Sequence, residues 1–127
     1  MRRMMVGVLA AVAIASVSAT ALAAGRQPAS AHARHASTLF AKVNVAASEF
    51  KFVLSQKSAK RGVVTFKVTN VGAVQHDFEI SGRKTKLISH GQSATLRVTF
   101  LRKGSYPYKC TVPGHAAAGM KGVFTIT

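Results

Sequence analysis

From Phe40 onward the chain alternates. Val64, Phe66 and Val68 share one face of an extended run, with Thr65, Lys67 and Thr69 on the other. Ala94, Leu96, Val98 and Phe100 repeat the pattern against Thr95, Arg97 and Thr99. A period of two marks a strand with one buried face. Phe50, Phe52 and Leu54 predict a further inward row, and Val43-x-Val45, Leu87-Ile88 and Phe124-x-Ile126 complete the set. Glycines at 62, 72, 82, 91 and 104 punctuate these runs, and Asn70-Val71-Gly72 and Arg102-Lys103-Gly104 read as turns. The spacing predicts about eight strands, no helix and an all-β sandwich. An antibody-type sandwich wants two core cysteines and a tryptophan. This chain has one cysteine and no tryptophan.

The N-terminus follows another pattern. Met1 to Met5 is a short basic head, Val6 to Val17 is almost unbroken apolar sequence, and Ala21-Leu22-Ala23 is an A-x-A site. This is the layout of a secretory signal peptide, with cleavage expected after Ala23. An uncleaved anchor is the alternative, and Arg2-Arg3 leaves open Sec or twin-arginine export. Residues 24–39 are mostly Ala, Ser, Arg and His and predict a disordered tail. The folded domain is then 40–127. His32 and His35 in the tail form only a weak metal-binding pair.

Charge enters at this point. The whole chain carries +15. Without residues 1–23, sixteen basic and three acidic side chains remain, or +13. Such a charge suggests an acidic partner or an anionic membrane face. Nucleic-acid binding fits poorly with an export signal and with aromatics that are not interleaved with basic residues. Glu49, Asp77 and Glu79 are the only carboxylates. That is too few for most two-carboxylate enzyme mechanisms.

Two inward-facing rows carry chemistry. In Val74-Gln75-His76-Asp77-Phe78-Glu79-Ile80 the alternation puts His76 beside Val74, Phe78 and Ile80. In Tyr106-Pro107-Tyr108-Lys109-Cys110 the inward set is Tyr106, Tyr108 and Cys110. The loop that follows holds His115 and Met120, in a C-x4-H-x4-M spacing. One thiolate, two imidazoles and one thioether make the ligand set of a trigonal His2Cys copper site with a weak axial Met. Soft sulfur suits Cu(I) and nitrogen suits Cu(II), so the mixed set accommodates both. Four protein ligands leave no open position for substrate, which argues against an enzyme. Zinc is disfavoured because Met is a poor zinc ligand. A Cys–His nucleophile pair lacks a third polar group to orient it.

The stretches NVGAVQHDFEI (70–80), SHGQSATLRVTF (89–100) and GSYPYKCTVPGHAAAGMKG (104–122) resemble the cupredoxins, the plastocyanin and azurin superfamily. The resemblance covers residues 40–127. It implies a Greek-key β-sandwich with one type 1 copper ion at one end, held by His76, Cys110, His115 and Met120. It also implies one-electron transfer between larger redox partners, of cytochrome or oxidase type; a monomer is expected, and the export signal directs it to the periplasm or another extracytoplasmic face. The alternative is a copper-binding protein for delivery, storage or resistance. The ligand loop looks most like that of the rusticyanin and sulfocyanin type, and no disulfide accompanies it. Asp77 and Thr111, next to two ligands, are expected to hydrogen-bond around the site, as the equivalent pair does in the family. The small residues around His115 (Pro113, Gly114, Ala116, Ala117, Ala118, Gly119) either leave its ring edge uncovered for a partner or only permit a tight loop. His90 is expected as an exposed turn residue.

Overall fold

The computed structural model of the chain describes residues 39–127. The expected signal peptide, and the expected tail apart from Leu39, lie outside the described residues, as do His32 and His35. Nine strands occur among the described residues. They are β1 (Phe40–Ser48), β2 (Lys51–Leu54), β3 (Ser58–Ala59), β4 (Gly62–Asn70), β5 (Glu79–Ile80), β6 (Arg83–Lys84), β7 (Ser93–Phe100), β8 (Gly104–Lys109) and β9 (Lys121–Ile126). They form two sheets, in the orders β2-β1-β4-β7 and β3-β9-β8-β5-β6. The expected β-sandwich is therefore found. The count exceeds about eight because three of the strands are only two residues long.

The alternating runs behave as their pattern predicts. Val64, Phe66 and Val68 of β4, and Leu96, Val98 and Phe100 of β7, are buried. They meet Tyr108, Phe124 and Ile126 from the second sheet in one core. Phe66 sits at its centre, edge-on to Phe124 with ring centroids 5.2 Å apart and equally close to Phe78. Removing such a ring costs about 3–5 kcal/mol, so the core anchors the frame on which the site is built.

One pairing governs where the site forms. β1 and β4 run parallel, from Phe40↔Val63 to Ala47↔Asn70. Both strands thus end side by side, and the turn after β1 lies against the segment that leaves β4. Antiparallel β8 and β9 pair from Gly104↔Ile126 to Lys109↔Lys121, so the connection between them opens directly after Lys109.

Three expectations need correction. Val74 to Ile80 is not one strand: only Glu79–Ile80 is, and Val74 is 45% exposed. The Asn70 side chain is the cause. Its Nδ2 donates to the carbonyls of Val74 and Ile88 (both 2.7 Å), and its Oδ1 accepts the Gly72 N–H (2.8 Å). These bonds turn the chain and replace a sheet ladder. His76 keeps its inward direction through an isolated antiparallel bridge to Ile88. Phe50 is not inward either: it lies in the turn before β2 and is 43% exposed. Leu87 is exposed, while Ile88 alone enters the core.

Candidate metal centre

His76 reaches the site from the Asn70-built turn. Its backbone N–H and C=O both bond to Ile88 (3.2 and 2.8 Å), and its side chain is fully buried. Cys110 follows the last residue of β8 and is 1% exposed. Its N–H donates to the Met120 carbonyl (3.0 Å), and the Met120 N–H donates to the His115 carbonyl (3.0 Å). The loop between Cys110 and Met120 is thus closed on itself. Gly114 within it has φ near +82°, a left-handed conformation that favours glycine. Further bonds from Ala118 N–H to the carbonyls of Gly114 and His115 wrap the loop into tight turns (3.0 and 3.1 Å).

These supports bring three of the four expected residues together. His76 Nδ1 lies 3.1 Å from His115 Nδ1, and Cys110 Sγ lies 3.6 Å from His115 Nδ1. The donor atoms of His76, Cys110 and His115 all fall within 4.8 Å of one another. Met120 is fully buried, and its backbone touches both Cys110 and His115. First-row ions bind imidazole nitrogen at about 2.0–2.1 Å and thiolate sulfur at about 2.3 Å. Donors at the observed separations therefore fit around one ion. The donor set, soft sulfur with two imidazoles, suits copper.

The surroundings hold the donors still. The Thr111 N–H donates to Asp77 Oδ1 (2.6 Å), and the Thr111 hydroxyl donates to Asp77 Oδ2. The expected Asp77–Thr111 pair therefore exists, and it ties the residue after His76 to the residue after Cys110. Lys84 Nζ stands 3.9 Å from the same carboxylate. Burial pushes the Cys110 thiol above its usual pKa, against hydrogen bonds that favour the thiolate.

Glu49 is a functional candidate that sequence reasoning missed. It sits in the turn after β1, and its Oε1 lies 3.2 Å from His76 Nε2. The same oxygen accepts the Val74 N–H (2.8 Å). That backbone bond, helped by Glu49's own N–H and by His76, holds the carboxyl at a pKa of about 2. Phe50, its neighbour, packs edge-on against the His115 ring with centroids 5.0 Å apart. His115 itself is half-buried, and Pro113, Gly114, Ala117 and Ala118 beside it are exposed. His90 is exposed in a turn, as expected, with Nδ1 2.6 Å from the Gly72 carbonyl.

Residues 31–127 match the model of a family described as copper binding proteins, plastocyanin/azurin family. Among curated proteins, auracyanin-B of Chloroflexus aurantiacus is 42% identical over 43 residues, which are 34% of this chain and 18% of that protein's length. Among solved structures, auracyanin B superposes with a TM-score of 0.59 at 23% identity, covering 68% of this chain and 88% of that one. Auracyanin A, described as a "blue" copper protein from Chloroflexus aurantiacus, gives 0.58 at 17% identity, covering 70% of this chain and all of that one.

Proposed function

Because the chain belongs to the plastocyanin/azurin family of copper-binding proteins, we propose that it is an exported type 1 (blue) copper protein that carries single electrons between larger redox partners. The observation that carries this reading is the buried convergence of two imidazole nitrogens and one thiol sulfur within 4.8 Å. His76, Cys110 and His115 supply the strong ligands, and Met120 the weak axial one. Bound copper supplies a one-electron couple. The chain's own residues do the rest. They fix the donors before the metal arrives, exclude water around Cys110, and leave no ligand position for a substrate, so the protein is not an enzyme.

Electrons are exchanged through the partly exposed edge of His115. Phe50 and the small residues of the loop allow a partner to come close there. The partner is an acidic redox protein, met by a monomer whose described residues carry fourteen cationic side chains against three carboxylates. Such steering weakens with salt, as does attraction to an anionic membrane face. The leader 1–23 directs export, with cleavage after Ala23.

The test is the absorption spectrum of the copper-loaded protein. One copper per chain with an intense thiolate-to-copper band, lost in Cys110→Ala, is the expected result. A weak band with copper readily given up to a chelator would favour copper delivery instead.

A further inference from the structure

The two imidazoles of the centre differ in what stands behind them. His115 makes its side-chain hydrogen-bonding contacts through Nδ1 alone among the described residues. His76 uses both nitrogens: Nδ1 faces the cluster and Nε2 faces Glu49 Oε1 at 3.2 Å. We infer that Glu49 is a positioning residue for His76, an ionised acceptor that fixes its tautomer and strengthens it as a donor toward the higher oxidation state of the metal.

The fold builds this contact from parts far apart in sequence. The β1–β4 register ends at Ala47↔Asn70, and the Val71 N–H donates to the Ala47 carbonyl (2.9 Å). Glu49 is thereby laid across residues 72–76. Gly72 leaves the space: a Cβ there would stand 2.5 Å from both carboxylate oxygens. The Val74 N–H then pins Oε1 at 2.8 Å. A glycine gap, a backbone donor and a buried imidazole thus all converge on one carboxylate.

The chemistry follows from the geometry. For His76 to offer the Nδ1 lone pair, its ring proton must sit on Nε2. A carboxylate accepting that proton's hydrogen bond makes this tautomer the stable one and locks the ring angle. It also raises the basicity of the opposite nitrogen. A more basic nitrogen and a nearby negative charge favour Cu(II) over Cu(I). Loss of such an outer partner typically weakens metal affinity 10–100-fold.

The inference rests on His76 as a ligand, and its test separates the two ideas. Glu49→Gln keeps an oxygen for the Val74 N–H but removes the charge. The variant should keep the intense absorption band and its Cu(I) affinity, while Cu(II) affinity drops 10–100-fold. At about 59 mV per tenfold for one electron, the reduction potential rises by about 60–120 mV. Gly72→Ala, which displaces the carboxylate and keeps its charge, should move the potential the same way. In the metal-free protein, nitrogen chemical shifts should report the proton of His76 on Nε2, and a mixture of tautomers in Glu49→Ala, which leaves Nε2 without its acceptor. An unchanged potential together with an unchanged tautomer would overturn the role of Glu49 while leaving the copper site intact. A parent protein with no intense band would instead strike at the copper site itself.

Discussion

The centre has a turn-borne side, braced by an isolated β-bridge, and a loop-borne side, and they are built differently. His76 is fully buried, bridged to Ile88 through its backbone and backed by Glu49. His115 is half-buried in a loop of small residues, with the edge of Phe50 as its aromatic neighbour. The same side chain serves two ends. Burial and bracing are concentrated at His76, and exposure at His115.

The sharpest way to break this comparison is to remove each ring in turn. His76→Gly and His115→Gly should both lose the intense absorption band. Added imidazole should restore it to His115→Gly, because that position opens to solvent, and leave His76→Gly colourless. Recovery of both variants in a spectroscopic titration would erase the distinction.

The two sides are joined by Asp77, so Asp77→Ala tests whether they depend on each other. It leaves the Thr111 N–H and hydroxyl without their acceptor. Orphaning a buried donor costs about 1–3 kcal/mol, and the partly buried Thr111 groups should lie at the low end of that range. Thermal unfolding of the metal-free protein should shift down accordingly, and the potential of the copper form should move. An unchanged potential with the full loss of stability would make the two sides independent.

The thiol they share predicts a pH effect. In the proposed site copper takes Cys110 as the thiolate, and burial raises the thiol pKa, so each copper bound should displace one proton. Apparent affinity should therefore rise about tenfold per pH unit until the thiol's raised pKa is passed. A flat profile in chelator competition would mean that the thiol is already ionised.

The smallest effect belongs to the open side. Ala117→Glu places a charge beside His115 without touching a donor. Electron exchange with an acidic partner should slow several-fold, with the association rate most affected, while the absorption spectrum stays the same. Equal rates at low salt would remove the loop surface from the docking path.

How much of this the sequence discloses depends on the residue. β4 and β7 are plain in it because they alternate without interruption between turn residues. Cys110 and Met120 are plain because each is the sole residue of its type after position 5. The segment 71–78 misleads, since Val74, His76 and Phe78 imitate a strand while Asn70 takes over the backbone groups that would make one. The two-residue strands β3, β5 and β6 are too short to show a period. Glu49 is hidden because it stands 27 residues from His76, linked by a parallel strand pair that no local pattern announces. One signal could have found it. In a chain with eighteen basic residues and three acidic ones, a carboxylate is rare enough to single out. Glu49 lies against one candidate ligand, and Asp77 braces the residue after another.

The burial of Cys110 has a consequence for the lifetime of the protein before it meets its metal. A thiol that is 1% exposed and held protonated is a poor nucleophile and a poor target for oxidants. Disulfide exchange and conversion to sulfenic acid both proceed through the thiolate, which burial disfavours. The empty protein should therefore age slowly in an oxidising compartment, with its one irreplaceable sulfur intact until copper draws off the proton.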